Sequence, residues 1–420
     1  MCQYIINGGK RLCGEIEIEG SKNAVLPILA AALINEGVSV IHNCPDFRDV
    51  GLMFSIMREL GCSIEINGNT VIIDSTEMNS FEISRKNAHE MRSSIIFLGA
   101  VLSRMNEIII SHPGGCEIGP RPVDLHLKAL RMMGAEVYDV QNGLIYAKAG
   151  KLCGCEIQLD FPSVGATENI MIAAVRADGE TIIRNAAKEP EIVDLQDFLN
   201  AMGAQVRGAG TGIISIKGCT ANLLHDVEYT VIPDRIVAGT YMTAAAVTRG
   251  DLVLKNIIID HIAPVISSLR ECGCMINTYE NEVRIKGPER PGNIEIIRTL
   301  PYPGFPTDMQ APMVSVMAVA NGTGIMIETV FESRYKHVDD LVKMGANIKV
   351  DGRIAVIRGV SGLNGADVEA HDLRGGAALI IAGLNAEGTT IVNDSKHIER
   401  GYVSIEKKLE AVGADIVLQR

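Results

Sequence analysis

The strongest constraint on the fold is a short pattern that occurs six times along the chain. Each copy is an amphipathic run that stops at a glycine and continues as alternating apolar residues: MRELGCSIEI, LRMMGAEVYD, LNAMGAQVRG, LRECGCMINT, LVKMGANIKV and LEAVGADIVL. The glycines are 68 to 73 residues apart, at Gly61, Gly134, Gly203, Gly273, Gly345 and Gly413. A terminal glycine is typical of a helix end, and alternation is typical of a strand. The pattern therefore predicts six repeats, each with a helix that leads directly into a strand.

A second series of six segments interleaves with the first, and its members are apolar nearly all round. They are AVLPILAAALINEGVSV, SSIIFLGAVLSRMNEIII, ATENIMIAAVRADGETII, VAGTYMTAAAVTRGDLVL, APMVSVMAVANGTGIMI and AALIIAGLNAEGTTIV. A helix without a polar face is expected to be buried. We expect these helices to stop at Gly37, Asn106, Gly179, Gly250, Gly324 and Gly388, each before a β-branched strand.

Tight hairpins complete each repeat. The pairs Asn67-Gly68, Asn142-Gly143 and Asp351-Gly352 follow first-series joints, and such pairs tolerate the positive φ of a short β-turn. Each repeat is therefore predicted to be a βαβαββ unit, and the fold class is α/β.

The sixth repeat lacks a returning strand, because the chain stops at DIVLQR. The first residues, YIINGGKRLCGEIEI, match the unit boundary YAKAGKLCGCEIQL. Since an unpaired edge strand favours aggregation, we expect the first strand to pair with the last. This predicts two domains of three repeats, 21–230 and 1–20 plus 231–420, with a ligand cleft between them.

Composition narrows the classes of function. The chain has 39 Lys+Arg against 51 Asp+Glu, a formal net charge of −12, which argues against binding nucleic acid or a membrane surface through bulk charge. It has no signal-peptide pattern, no apolar run long enough for a membrane span and no Cys-x-x-Cys pair. We expect a cytoplasmic protein that acts on small molecules without nucleic-acid or membrane partners, and a monomer, although an oligomer stays open.

The repeat places the first residues of the six buried helices in equivalent positions. Helix N-termini carry partial positive charge and unpaired N–H groups, so added cations there favour an anion site over ordinary solvated charges. No phosphate-binding loop and no metal-ligand spacing occurs in the sequence, and we expect neither a cofactor nor a metal. The helix-start residues are Lys22, Arg92, Gly165, Arg235, Met309 (next to Asp308) and Arg374.

Cys116 is a candidate for reactive chemistry. It lies in SHPGGCEIGPRPVDLH, a loop rich in glycine, five positions before Arg121. An exposed thiol near a cation favours the thiolate, which suits a reactive or acid–base role. Cys62 and Cys274, by contrast, replace the alanine of the repeated joint and are interpreted as small buried residues.

Several aspartates allow two interpretations. Asp308, in LPYPGFPTDMQAP, is either a helix cap or, opposite the cations, a base. Asp372 and Asp234 each stand just before a helix-start arginine and share this ambiguity. Arg400 is placed at the start of the sixth first-series helix, as a further cation at a helix N-terminus or as a surface charge.

Together these motifs resemble the UDP-N-acetylglucosamine 1-carboxyvinyltransferase family, enolpyruvyl transferases of the EPSP synthase-like superfamily. The resemblance covers the whole chain and implies two inside-out α/β barrels, with the buried helices inside. The chain departs from the family pattern at Phe161-Pro162 and at Gly375, where alanine is commoner. The ordered signatures are GSKNAVLP, MRSS, GGCEIGPRPVDLH, PSVGATENI, IPDRIVAGT, PYPGFPTDMQAP, FESRYKHVDDL, DLRGG and RGY.

The resemblance also implies a reaction, the joining of phosphoenolpyruvate to the 3-hydroxyl of UDP-N-acetylglucosamine with release of phosphate. It implies that Lys22, Arg121 and Arg400 hold the phosphate and carboxylate of phosphoenolpyruvate. Cys116 would be the acid, Asp308 the base, and Asp372 and Arg374 would lie near the reaction centre. The residues implied to line the nucleotide-sugar site are Asn23, Arg92, Arg121, Pro122, Val123, Asp124, Leu125, Ser163, Val164, Gly165, Asp308 and Val330.

Two alternatives remain from the sequence. One is the sister reaction, transfer of enolpyruvate to shikimate 3-phosphate, which the cysteine-bearing loop disfavours. The other is a regulatory paralogue that binds the nucleotide sugar without turnover. Loss of Lys22, Cys116 or Asp308 would mark such a paralogue, and all three are present.

Overall fold

The structure is a computed structural model that describes residues 2–112, 114, 123–140, 143–219 and 221–420, with only the backbone at 92, 139, 140 and 221. Cys116, Arg121 and Pro122 lie outside the described residues, as does Asn142. The chain forms two compact units. The N-terminal unit contains the described residues between 20 and 232, and the C-terminal unit contains 2–19 and 233–420.

The described elements follow the predicted alternation of strands and helices. The helices are α1 (Lys22–Ala31), α2 (Arg48–Glu59), α3 (Arg85–Glu90), α4 (Phe97–Met105), α5 (Asp124–Met132), α6 (Val164–Val175), α7 (Pro190–Ala201), α8 (Arg235–Val247), α9 (Ala263–Glu271), α10 (Gln310–Val319), α11 (Val338–Lys343), α12 (Leu373–Asn385) and α13 (Ile405–Ala411). The strands are β1 (Gln3–Asn7), β2 (Cys13–Glu17), β3 (Val38–His42), β4 (Ser63–Asn67), β5 (Thr70–Asp74), β6 (Glu107–Ser111), β7 (Glu136–Val140), β8 (Leu144–Lys148), β9 (Glu156–Gln158), β10 (Glu180–Arg184), β11 (Gln205–Arg207), β12 (Ile213–Lys217), β13 (Val227–Thr230), β14 (Asp251–Lys255), β15 (Met275–Thr278), β16 (Glu282–Lys286), β17 (Ile296–Arg298), β18 (Thr323–Ile327), β19 (Asn347–Asp351), β20 (Ile354–Arg358), β21 (Asp367–Glu369), β22 (Thr389–Asn393) and β23 (Asp415–Gln419).

Each unit is built from the same parts, three apolar helices that pack on one another and three small sheets. In the N-terminal unit the helices are α1, α4 and α6, and the described sheets have the orders β13-β3-β5-β4, β6-β8-β7 and β11-β12-β10-β9. In the C-terminal unit they are α8, α10 and α12, with sheets β15-β16-β14-β2, β17-β18-β20-β19 and β21-β22-β1-β23. All of α10 is buried, as is all of α8 after Arg235 and all of α12 between Leu373 and Asn385, as expected for helices without a polar face.

The predicted pairing of the first strand with the last is confirmed. β1 lies between β22 and β23 and is antiparallel to both, so that Tyr4 is opposite Val392 on one side and Leu418 on the other. Without β1, β22 and β23 would each expose an unpaired strand edge, and β1 covers both edges.

The glycine joints of the first series have the predicted conformation. All six take positive φ, between 92° and 105°, directly after a helix and before a strand. The hairpin predictions at Gly68 and Gly352 are confirmed as well, with φ of 64° and 55° between paired antiparallel strands. Only glycine adopts this region without a steric cost, which is why the sequence marks these positions so clearly.

Two predicted helix stops are wrong. α1 ends at Ala31, six residues before Gly37, and Gly37 directly precedes β3. α10 ends at Val319, the left-handed residue is Gly322 with φ of 132°, and Gly324 lies inside β18. A β-carbon on Gly324 would lie 2.3 Å from the carbonyl oxygen of Ile294, so this glycine is required by a close backbone approach instead of a helix end.

Candidate active site

The starts of the six buried helices lie where the repeat places them. Lys22 and Arg235 are the first residues of α1 and α8, and Ser163 caps α6. In the other three copies a short turn or cap precedes the helix: the 3-10 turn Arg92–Ile96 before α4, the 3-10 turn Thr307–Met309 before α10, and Asp372 before Leu373 at α12. The positional prediction is therefore confirmed to within a few residues.

In the C-terminal unit, Asp308 lies between two buried arginines. Arg334 donates from Nη2 to Asp308 Oδ1 at 2.7 Å, and Arg374 donates from Nη2 and Nε to Oδ2 at 3.1 and 3.3 Å. Both guanidinium side chains are 3% exposed, whereas the Asp308 side chain is 24% exposed. The arrangement holds a partly accessible carboxylate in its ionised form, since two opposite charges favour it. The capping interpretation of Asp308 is wrong, because Pro306 and Met309 occupy the N-cap positions here.

Asp372 and Asp234 are helix caps. Asp372 Oδ1 accepts from the backbone N–H groups of Arg374 and Gly375 at 3.0 and 2.9 Å. Asp234 Oδ1 accepts from Ile236 and Val237 at 2.8 and 3.0 Å. Each cap fixes the start of a helix and, with it, the position of the arginine in the first turn.

Gly375 leaves room for the cap at the start of α12. A β-carbon at this position would lie 2.8 Å from Asp372 Oδ2 and 3.1 Å from the β-carbon of His337. His337 is 1% exposed, and its burial lowers the pKa of the ring to about 4, so the imidazole is neutral. The glycine lets the capping carboxylate and the His337 side chain approach the helix more closely than an alanine would.

Glu328 links Val330 to the Asp308 turn. It is fully buried, and its Oε1 accepts from the backbone N–H groups of Val330 and Phe331 at 2.7 and 3.0 Å. Its Oε2 accepts from the hydroxyl of Thr307 at 2.9 Å. Two residues that the resemblance assigns to the nucleotide-sugar site, Val330 and Asp308, are thus held together by a glutamate that the sequence reasoning did not single out.

Arg400 does not begin a helix. It is the last residue of the 3-10 helix Ser395–Arg400, and α13 begins only at Ile405. The prediction that Arg400 is a cation at the start of the sixth first-series helix is wrong. Ser404, with φ of 43°, turns the chain before α13, and the repeat pattern gives no sign of this extra turn.

In the N-terminal unit, Lys22 forms a buried ion pair with Asp49. Lys22 Nζ is 2.8 Å from Asp49 Oδ2, and the two side chains are 9% and 1% exposed. Asp49 belongs to the first turn of α2 and was not predicted. A carboxylate that lies on the buried side of an amphipathic helix is the signal that could have found it, because buried charges are paired.

The other sequence candidates of this unit form the starts of α5 and α6. Val123 precedes Asp124 and Leu125 at the beginning of α5, and Ser163 Oγ accepts from the N–H of Ala166 at 3.3 Å at the beginning of α6, next to Val164 and Gly165. Asn23 follows Lys22 on α1 and is half-buried.

His126 and Asn169 connect these two helices with α4. Asn169 donates from Nδ2 to Nδ1 of His126 at 2.9 Å and to the carbonyl of Ile95 at 2.8 Å, and its Oδ1 accepts from Gly99 N–H at 2.6 Å. The ring of His126 also lies against Gly165, 3.3 Å from the position a β-carbon would take.

Buried acids lie near the same helices. Burial, followed by repulsion from Glu191 and Glu189, raises the pKa of Glu168 well above its ordinary value. Burial also raises the pKa of Asp194 to about 7, against the opposing effect of a hydrogen bond from Tyr229. Neither residue was a sequence candidate. Cys62 and Cys274, each 5% exposed, are buried as predicted.

The family model for EPSP synthase (3-phosphoshikimate 1-carboxyvinyltransferase) matches residues 6–409 of this chain. A protein of Caldanaerobacter subterraneus subsp. tengcongensis named UDP-N-acetylglucosamine 1-carboxyvinyltransferase 2 is 55% identical over 417 residues, 99% of both chains. UDP-N-acetylglucosamine 1-carboxyvinyltransferase 1 of Symbiobacterium thermophilum is 51% identical over 419 residues, 99% of this chain and 94% of the relative. The chain belongs to the UDP-N-acetylglucosamine 1-carboxyvinyltransferase family.

Solved structures agree with the family in fold. The enolpyruvyl transferase NikO from Streptomyces tendae is 24% identical and superimposes with a TM-score of 0.91 over 100% of this chain and 99% of its own. An EPSP synthase from Acinetobacter baumannii is 20% identical, with a TM-score of 0.76 over the whole of both chains. The α/β fold of this carboxyvinyltransferase family member is thus the EPSP synthase-like fold.

Two kinds of feature are absent from the described residues. No helix among them is long and apolar enough to cross a membrane. In the same residues, no three or more His, Cys, Asp or Glu side chains are grouped so that they could hold a metal ion.

Proposed function

We propose that this chain transfers the enolpyruvyl group of phosphoenolpyruvate to the 3-hydroxyl of UDP-N-acetylglucosamine and releases phosphate. The observation that carries the proposal is the 55% identity, over 99% of both chains, to a relative named for this transfer. The site geometry supports it, because a partly exposed carboxylate between arginines at the start of buried helices suits acid–base chemistry on anionic substrates.

The proposed chemistry has two stages. In the first, the sugar hydroxyl loses a proton to a base, its oxygen bonds to C2 of phosphoenolpyruvate, and C3 gains a proton from an acid. In the second, C3 returns a proton to the deprotonated acid, the C2–O bond to phosphate breaks as the double bond forms again, and the base passes the sugar proton to the leaving phosphate. The net change is one O–H and one C–O bond broken and one C–O bond made, with the sugar proton leaving on phosphate.

We assign the base to Asp308 and the acid to Cys116, which lies outside the described residues. Lys22, Arg121 and Arg400 are proposed to hold the phosphate and carboxylate of phosphoenolpyruvate. The pairing of Asp308 with two guanidinium groups supports a base that is ionised at neutral pH. General acid–base catalysis of this kind contributes about 10² to 10⁴ in rate.

The remaining candidates are proposed to position substrate. Arg374 and Asp372 lie near the reacting atoms, and the α12 cap supports that role by fixing Arg374. The residues proposed to line the nucleotide-sugar site are Asn23, Arg92, Arg121, Pro122, Val123, Asp124, Leu125, Ser163, Val164, Gly165, Asp308 and Val330.

The transfer defines a place in metabolism, which we also propose. It is the first committed step of peptidoglycan synthesis, so the chain would serve cell wall biogenesis, cell shape and cell division, in the cytoplasm and as a monomer. The proposed domains are 21–230 and 1–20 plus 231–420.

The deciding assay is phosphate release from phosphoenolpyruvate with UDP-N-acetylglucosamine, with shikimate 3-phosphate, and with neither. Release only with the nucleotide sugar supports the proposal. Release with shikimate 3-phosphate indicates the sister reaction, and tight binding of the nucleotide sugar without release indicates the regulatory paralogue.

The acid assignment has its own test. We expect Cys116→Ser to lose turnover severely while it stays folded, whereas Cys116→Asp keeps activity because a carboxyl can carry the proton. An unchanged rate in Cys116→Ser contradicts the assignment. A phosphonate epoxide of the fosfomycin type is expected to add its mass to the tryptic peptide that contains Cys116.

A further inference from the structure

Tyr402, near the C-terminal end of the chain, contacts the arginine that binds the proposed base. It lies between the 3-10 helix Ser395–Arg400 and α13, and it is 3% exposed. The guanidinium carbon of Arg374 is 5.4 Å from the centroid of the Tyr402 ring, a cation–π distance. Burial raises the pKa of the Tyr402 hydroxyl, so the ring is neutral.

The ring itself is held from another helix. The hydroxyl of Tyr402 is 2.9 Å from Thr240 Oγ1, and the Thr240 hydroxyl donates to the carbonyl of Ile236 at 2.8 Å. Because the one proton of Thr240 is used in that bond, Tyr402 must be the donor to Thr240. The orientation of the tyrosine is therefore fixed by α8, while the arginine that it contacts belongs to α12.

The Arg374 guanidinium has two kinds of contact, hydrogen bonds to a carboxylate and a contact with an aromatic ring. The Nε–Nη2 edge donates to Asp308 Oδ2, and the guanidinium carbon lies over the Tyr402 ring, 5.4 Å from its centroid. Nη1 is buried and makes no hydrogen bond with a described residue. A planar guanidinium held at one edge alone can still turn about that edge, and stacking on an aromatic face removes this freedom.

We propose that Tyr402 is a positioning residue of the site: its ring fixes the plane of Arg374, and Arg374 in that plane holds the Asp308 carboxylate in position for proton transfer. The inference rests on the proposed function for the role of Asp308, but the contact it concerns is tested below without turnover as well. The charged and titratable groups around Arg374 and Asp308 are Arg334, Asp372, Asp234, Glu328 and His337.

The test compares Tyr402→Phe, which keeps the ring, with Tyr402→Leu, which removes it. We expect Tyr402→Phe to stay within a few-fold of wild type. Tyr402→Leu should lower kcat by about 10- to 30-fold, the effect of losing a desolvated cation–π contact, with little change in KM. The acid limb of its pH–kcat profile should move to higher pH, because a loosened Arg374 stabilises the ionised Asp308 less.

Tyr4→Leu is the matched control. Tyr4 is also a buried tyrosine of the C-terminal unit, 1% exposed on β1. The control is expected to lose stability without moving the acid limb. If Tyr4→Leu moves the limb as far as Tyr402→Leu, or if Tyr402→Phe and Tyr402→Leu behave alike, the ring contact is not what positions Arg374 and the inference is overturned.

A double-mutant cycle with Arg374→Lys tests whether Tyr402 acts through the arginine. Lysine keeps the charge but has no plane to stack, so the effects of Tyr402→Leu and Arg374→Lys should be far from additive. Additive effects overturn the inference. If circular dichroism shows that Tyr402→Leu does not fold, Tyr402→Met takes its place, since methionine fills the space without a ring.

The last measurement does not depend on turnover. The ¹³Cγ chemical shift of Asp308, assigned by comparison with Asp308→Asn, is followed against pH in wild type and in both Tyr402 variants. We expect its titration to move to higher pH in Tyr402→Leu alone. If wild type releases no phosphate, the proposed function fails while this titration still decides the positioning role. An unmoved titration overturns that role.

Discussion

Asp194 provides a quantitative test of burial in the N-terminal unit. It lies on α7, is 2% exposed, and accepts from the Tyr229 hydroxyl at 2.6 Å and, more weakly, from Ile232 N–H at 3.4 Å. Burial raises the pKa of this carboxyl from its ordinary value of 3.8 to about 7. The ionised form is therefore disfavoured in the folded protein.

The sign of the pH dependence follows from this shift. The folded state binds the proton more tightly than the unfolded state, so the stabilising contribution of protonated Asp194 is complete below about pH 4 and is lost as the pH rises through 7. With about 1.4 kcal/mol for each pH unit, ionised Asp194 costs the folded protein on the order of 4 kcal/mol at pH 8.

We expect Asp194→Asn to be more stable than wild type at pH 8, because the amide accepts from Tyr229 without a buried charge. Relative to wild type, the free energy of unfolding of the variant should fall by about 2.5 kcal/mol between pH 8 and pH 5. Urea denaturation followed by circular dichroism at several pH values measures this difference. The contributions of the other titrating groups cancel in this difference, since both proteins share those groups.

Asp197→Asn is the matched control for the same helix. Asp197 is exposed, and its charge makes only a minor contribution to the pKa of Asp194. The control should follow wild type at every pH to within about 0.5 kcal/mol. A difference between Asp194→Asn and wild type that is the same at pH 5 and pH 8 would refute the reasoning, because it would mean that Asp194 does not titrate in this range.

Three further outcomes are expected. Gly99→Ala should lower the free energy of unfolding by about 1–3 kcal/mol, because its β-carbon would lie 2.4 Å from the backbone oxygen of Asn169 on a buried helix. Gly51→Ala, with nothing within 4 Å of its β-carbon, should be neutral or stabilising by up to about 1 kcal/mol. Thermal melts that rank the two variants the other way contradict the packing argument. Asp372→Ala should cost about 1 kcal/mol of stability through loss of the α12 cap, as measured by urea denaturation, and no loss would mean that the cap is redundant. Asp308→Asn should reduce kcat by about 10² or more in the phosphate-release assay while it stays folded, and wild-type turnover would exclude Asp308 as the base.

Much of the fold could be predicted because its signals are local. The glycine joints, the hairpins and the all-apolar helices each depend on backbone and burial preferences of a few adjacent residues, and the structure confirms the six joints and the pairing of β1 with β23. The errors are local too. Gly324 and Arg400 were misplaced by a few residues, because an extra turn or a close backbone approach leaves little mark in the periodicity.

The candidate site, like the fold, could be predicted only in part from the sequence. The positions of Lys22, Asp308 and Arg374 followed from the repeat, but their surroundings did not. Asp308 could have been a cap by its sequence context, but the structure gives the N-cap positions to Pro306 and Met309 and pairs Asp308 with Arg334 and Arg374.

The repeat, the α/β class, the family and the candidate residues at the helix starts can all be found in the sequence. The pairing of the charges cannot: Lys22 pairs with Asp49, and Asp308 with Arg334 and Arg374, through contacts between distant segments. The contact of Arg374 with the Tyr402 ring is of the same kind. The physical reason is that a backbone preference acts over a few residues, whereas a buried charge is satisfied by whatever partner the packing of distant segments brings within about 3 Å.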